Sequence, residues 1–119
     1  MIQTFPTLRI LVATQPVDFR KGIDGLAAIC RKQLEQDPMT ECAFAFRNRK
    51  GTAIKILLYD GQGYWLCQKR LSAGRFLHGP SANSPTRALQ AHRLQVLLAG
   101  GNPDLADGAP LWRPVAVPA

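Results

Sequence analysis

The sequence predicts an α+β domain: an antiparallel β-meander of three to four strands packed by one main helix, with a short C-terminal helix. Three observations predict it. Apolar residues between Gly22 and Gln36 recur at helical spacing, the period drops to two from Cys42 onward, and two glycine-bearing turns separate the later apolar runs. The chain has 119 residues, the size of one domain, and roughly two-thirds of its unfolded surface can be buried at that length.

The elements follow in order. Leu8 to Ala13 is a short β-type run with Leu8, Ile10 and Val12 on one face. Pro16 ends its ladder pairing because proline has no amide donor. Ile23, Leu26, Ala27, Cys30 and Leu34 then form one helical stripe, which predicts a helix over Gly22 to Gln36. Arg31 and Lys32 suit its C-terminal end, Asp18 or Asp24 is available to cap its start, and Pro38 bounds it.

In the next run Cys42, Phe44 and Phe46 alternate with Ala43, Ala45 and Arg47. The segment "NRKG" reads as a hairpin turn with Gly51 free to take positive φ. A second run follows, with Ile54, Ile56 and Leu58 on one face and Lys55, Leu57 and Tyr59 on the other. The segment "DGQG" turns the chain again into "YWLCQKRL". Beyond "SAGRFLHGPSANSP" the chain becomes irregular until Leu94, Leu97 and Leu98 mark a second helix over Ala91 to Ala99, stopped by Gly100, Gly101 and Pro103. Residues 1–100 are thus expected to form a single α+β domain. Residues 101–119 hold four of the nine prolines and no period, the pattern of an extended or disordered tail.

The net charge is +7. A basic balance of this size points to acidic partners, of which nucleic acid is the commonest, because a cationic surface gains affinity by releasing condensed counterions. Cys30, Cys42 and Cys67 are odd in number and form no C-x-x-C pair, which favours a reducing compartment over a disulfide framework. The first ten residues lack a secretory pattern, and no apolar run approaches the ~20 residues of a membrane span. A cytoplasmic protein, nucleoid-associated when bound to DNA, is expected.

No catalytic constellation emerges. Asp18, Asp24 and Asp60 are the acids near glycine turns, but a metal-dependent nuclease needs two or three carboxylates converging on one site. Asp24 reads better as a first-turn acid and Asp60 as a turn residue. His78 and His92 lie in separate segments, and Cys30 and Cys67 sit at core spacing, where a thiol is an inert small hydrophobe. Nothing in the cysteine and histidine spacing suggests zinc. No metal or other cofactor is expected.

The cations carry more information. Between Arg47 and Arg75 stand seven (Arg47, Arg49, Lys50, Lys55, Lys69, Arg70, Arg75) against one acid, Asp60. In a meander, Arg47, Arg49 and Lys50 lie at the same end of the sheet as Lys69 and Arg70, with Tyr59, Tyr64 and Trp65 nearer the opposite turn. Solubility alone calls for charges of both signs, interspersed. In "DFRKGIDGL", Arg20 and Lys21 beside two glycines offer a phosphate cations and backbone amides, although the Walker spacing is absent and Gly25 also fits a close-packing role. The tyrosines and tryptophan fit cross-strand pairing better than base stacking. The candidate phosphate contacts are therefore Arg20, Lys21, Arg47, Arg49, Lys50, Lys69, Arg70 and Arg75.

The segments "VDFRKGIDGL", "FAFRNRKGTAIKILLYDGQGYWLCQKRL" and "AGRFLHGP", in that order and spacing over about residues 8 to 100, resemble the accessory protein (TnpB-type, second open reading frame product) of the sixty-six family of bacterial insertion sequences. That family is unrelated to the RNA-guided nucleases sharing the TnpB label. In such elements a separate, larger protein carries the transposase chemistry. The resemblance implies a non-enzymatic accessory role in transposition and no catalytic residues to carry over. The implied partners are DNA at the insertion-sequence ends, the transposase and other proteins of the same element. The chain departs from the family pattern at Gly100-Gly101-Asn102-Pro103, where a G-[IL]-D-W segment is usual, at Leu58 before Tyr59, and at His78-Gly79. Trp112-Arg113-Pro114 echoes a W-R-P element. The alternative is a protein–protein module that docks the transposase without contacting DNA, with Leu111 and Trp112 as apolar anchors.

Overall fold

A computed structural model describes residues 9–76 and 83–102. Leu8, His78, Leu111, Trp112 and the expected tail beyond residue 102 lie outside the described residues. The elements are β1 (Arg9–Ala13), α1 (Ile23–Lys32), β2 (Cys42–Arg47), β3 (Ala53–Tyr59), β4 (Tyr64–Arg70), β5 (Thr86–Ala88) and α2 (Ala91–Leu98). They form an α+β fold with one five-stranded sheet in the order β4-β3-β2-β1-β5. Strands β2, β3 and β4 pair antiparallel in succession. Strand β1 lies parallel to β2, its connection passing through α1, since parallel neighbours need a long crossover.

The expectation of three to four strands is therefore corrected to five. The segment before α2, which looks irregular, contributes β5, paired antiparallel to β1 from Leu11↔Ala88 to Ala13↔Thr86. Three residues are too few to show a period of two. Thr14 fastens this junction: its N–H donates to the Pro85 carbonyl at 2.9 Å and its hydroxyl to the Ser84 carbonyl at 2.8 Å.

Both faces of the sheet are covered, where the sequence suggested one. On the first face, Leu26, Ala27, Ile29 and Cys30 of α1 pack with Leu11, Cys42, Phe44, Phe46 and Leu57. On the second, Leu97 of α2, Phe76 and Leu89 pack with Ile10, Val12, Ala43, Ala45, Ile54 and Leu58. This explains the alternation of large and small residues in β2. Its phenylalanines fill the α1 side while its alanines let the second cluster approach closely.

Helix α1 ends four residues earlier than its apolar stripe suggests. Glu35 takes a left-handed conformation (φ 55°), and the Gln36 N–H bonds the Cys30 carbonyl six residues back at 2.8 Å. The left-handed residue turns the chain off the helix axis, and Leu34 is buried just beyond the regular turns. Neither expected acid caps the start: the N-cap is Gly22, without a side-chain cap bond. Asp24 does occupy the first turn, where its charge suits the macrodipole.

A left-handed residue with a Cβ is strained by about 1 kcal/mol. Glu35→Gly is accordingly expected to raise stability by roughly 0.5–1 kcal/mol in a urea titration, with the m-value unchanged.

Candidate nucleic-acid interface

The site is built where three chain segments meet at one end of the sheet. The first is the turn between β2 and β3. Asn48 organises it: its Oδ1 accepts the N–H groups of Thr52 (2.9 Å) and Ala53 (3.2 Å), and its Nδ2 donates to the Thr52 hydroxyl at 2.9 Å. Gly51 takes φ 72°, a conformation that glycine adopts without strain. With the backbone so engaged, Arg49 and Lys50 project exposed from the tip.

The second segment is the loop from Val17 to Lys21. Val17 forms an isolated parallel bridge with Asn48, its N–H donating to the Arg47 carbonyl at 2.9 Å, so the loop runs beside the turn. Within it, Asp18 accepts the Arg20 N–H at 2.9 Å and grips the Arg20 guanidinium through Nη2 at 2.8 Å and Nε at 3.1 Å. The bonded guanidinium holds the Asp18 carboxyl well below its ordinary value, at about 2. Arg20 nevertheless remains 90% exposed. The third segment is the end of β4, where Gln68 and Arg70 pair with Lys55 and Ala53 of β3 and share their face of the sheet.

Between these segments opens a cleft of about 730 Å³, lined by the cations Arg20, Arg49, Lys50 and Arg70, the acid Asp18, the polar Asn48, Thr52 and Gln68, and the apolar Val17, Phe19 and Ala53. Four of the eight sequence-derived cations therefore meet in one concavity. Among the described residues Arg49, Lys50 and Arg70 make no ion pair, so their charge is available to a ligand.

The other four are placed elsewhere. Lys21 is exposed on the same loop but lies along the first turn of α1, where a Cβ on Gly25 would stand 2.8 Å from its own Cβ. That contact favours the packing role for Gly25. Arg75 is exposed beside Gly51, outside the lining. Arg47 and Lys69 face the α2 side and bond backbone there: Arg47 Nη2 donates to the Thr14 carbonyl at 3.0 Å and Lys69 Nζ to the Leu98 carbonyl at 2.7 Å. Both stitch the fold.

Lys55 is the largest departure from the sequence reading. Counted among the seven cations of the meander but not among the candidate phosphate contacts, it is buried to 8% exposure and stands beneath the loop. Its Nζ donates to the Phe19 carbonyl at 3.0 Å and the Lys21 carbonyl at 3.1 Å, and lies 4.9 Å from the Phe19 ring centre. The pattern of β3 places it on the same face as Leu57, which is the available sequence signal for burial. Asn48, Gln68 and Phe19 are further lining residues that the search for charges passed over. The asparagine three positions before Gly51 carried the clearest signal, an Asx-type turn.

The remaining sequence candidates resolve as follows. The Asp60 carboxylate is committed to its turn, accepting the N–H groups of Gln62 (2.9 Å) and Gly63 (3.0 Å) and the Trp65 indole N–H at 2.7 Å. These bonds hold its pKa below the ordinary value. Among the described residues no three histidine, cysteine or acidic side chains gather as metal ligands. Burial pushes the Cys30 thiol up to about 12 and raises Cys42 as well. Cys67, expected in the core, is instead exposed, because β4 is an edge strand and its α2-side face is uncovered there.

Comparison with known proteins now adds a family. A family model described as "IS66 Orf2 like protein" matches residues 8–107. Two uncharacterized proteins of Sinorhizobium fredii are similar along nearly their whole length. The protein y4jC is 34% identical over 110 residues, covering 92% of this chain and 93% of its own. The protein y4hO is 35% identical over 117 residues, covering 98% and 99%. No solved structure matches the chain.

Two outcomes test the geometry. Lys55→Met leaves two loop carbonyls without their charged donor, and is expected to cost about 1–3 kcal/mol in denaturant unfolding. For Asp18, a pKa lowered on folding means that its bond to Arg20 stabilises the loop above the unfolded value near 3.8 and is lost as pH falls through about 2. An NMR titration of the Asp18 carboxyl should show that low midpoint, returning toward 3.8 in Arg20→Gln.

Proposed function

The chain belongs to the IS66 Orf2-like family, and from that premise we propose that it is a non-catalytic accessory protein of transposition. In this reading it grips DNA backbone in the cationic cleft and helps assemble the transposase on the insertion-sequence ends. The observation that carries the proposal is the convergence of Arg20, Arg49, Lys50 and Arg70, from three separate segments, on one cleft. Only one of the four is held by a carboxylate.

The chemistry of the cleft fits phosphate better than bases. Arginine presents a planar fork of donors matched to phosphate oxygens, and lysine adds a mobile point charge. Lys21 and Arg75 stand outside the cleft and extend the positive field beyond it. Backbone contacts position a protein without reading sequence, so recognition of particular ends falls to the transposase or to DNA shape. No helix among the described residues is long and apolar enough to cross a membrane.

Engagement of four to six phosphates is expected to give a slope of about −4 to −5 in log K against log salt on duplex DNA. Replacing Arg49, Lys50 and Arg70 together by alanine should flatten that slope by about 3 and weaken binding on every sequence alike. Asp18→Asn removes the one negative charge from the cleft and should steepen the slope by about 1. Salt-independent binding, or a triple variant that binds as tightly as the parent, contradicts the proposal.

A further inference from the structure

Strand β4 is an edge of the sheet, and among the described residues nothing pairs with its outer side. The ladder fixes which backbone groups face outward. The Leu71 N–H donates to the Thr52 carbonyl, and the Asp60 N–H to the Gly63 carbonyl. Odd-numbered residues of β4 therefore direct their N–H and C=O groups toward β3. Tyr64, Leu66, Gln68 and Arg70 direct theirs to the open edge. A seven-residue edge with free donors and acceptors is a template for another strand.

We propose that the occupant of this edge is a second copy of the same chain, added antiparallel through β4 about a two-fold axis at Cys67. Antiparallel pairing joins inward residues with inward and outward with outward, so a two-fold axis must pass through a self-paired residue. Cys67 is the midpoint of β4, and an axis there pairs the whole strand with none left over. Arg70 then lies opposite Tyr64 of the second copy, and Lys69, whose ammonium stays on the Leu98 carbonyl, lies opposite its Trp65, so neither cation faces another cation. A two-fold at Lys69 would face like charges directly.

The exposed side chains agree with this register. Trp65 is 50% exposed, one of two large apolar side chains left in solvent among the described residues, and Cys67 beside it is also uncovered. Both stand on the α2-side face of β4, where the added strand would lie against them. Cys67 belongs to the inward set, so Cys67 and its counterpart form a non-hydrogen-bonded pair. Their Cα atoms would then stand about 4.5 Å apart, with side chains on one face. The axis is perpendicular to the sheet, so α1 keeps the same side in both copies. If the cleft holds DNA as proposed above, the ten-stranded assembly presents two clefts on one face.

Two measurements test the pairing, and neither depends on DNA binding. The first is mass by sedimentation equilibrium for the parent and for Gln68→Pro. That substitution deletes an outward N–H while leaving every β3–β4 bond in place. The second is copper–phenanthroline oxidation, which joins exposed thiols. Cys30 and Cys42 are withheld from it by burial.

The pairing predicts twice the monomer mass for the parent, monomer mass for Gln68→Pro, and a disulfide-linked dimer. The dimer should form at a rate independent of protein concentration and be absent in Cys67→Ser. A parent that stays monomeric at every concentration overturns it and leaves the edge to a strand from a different protein. A dimer without the Cys67 cross-link overturns it too, in favour of another surface. If Gln68→Pro fails to fold, the cross-link in the parent decides alone.

Discussion

The contact on which the rest of the site depends is the ammonium of Lys55 beneath the loop from Val17 to Lys21. A buried lysine is tolerated only where its charge finds compensating dipoles, and here two backbone carbonyls and an aromatic face supply them. The benefit runs both ways. The ammonium is solvated by protein, and a loop without regular secondary structure acquires a fixed height above the sheet. One wall of the cleft is that loop. Without the strut, Arg20 would sit on a loop tied to the sheet through Val17 and the packing of Phe19 alone.

The cations divide by the work they do. Lys55, Arg47 and Lys69 each donate to main-chain carbonyls and hold segments together. Arg49, Lys50 and Arg70 are held by nothing among the described residues and keep their charge for an outside partner. Arg20 stands between, oriented by Asp18 yet largely exposed. Alternation along the strands produces this division. Ala53 and Lys55 share the cleft face of β3 with Gln68 and Arg70 of β4, while Lys69, one residue away, points to the opposite side. A count of charges along the sequence merges what the pleat separates.

Much of the fold was legible because its signals are periodic. The helical stripe through Leu26 and Cys30 and the alternation in β2 and β3 locate three elements within a few residues. Parallel pairing of β1 and β2 was less visible, although a strand–helix–strand order is itself its signature. Strand β5 was hidden by its brevity. In the site, the cluster of positive charge was readable but its membership was not. Lys55 sits on the same face of β3 as Leu57, and a count of charge along the chain does not separate it from the exposed cations. Cys67 shows the reverse error: core spacing says nothing about whether a neighbouring element covers the strand.

The central claim is that the fold gathers a subset of its cations into one cleft that meets DNA backbone. Chemical-shift mapping with a short duplex tests it most directly. The account predicts perturbed amides at Val17 to Lys21, Asn48 to Thr52 and Gln68 to Arg70, fading as salt rises, with β1 and α2 unmoved. Perturbation centred on α2 or β5, or none at low salt, would contradict it.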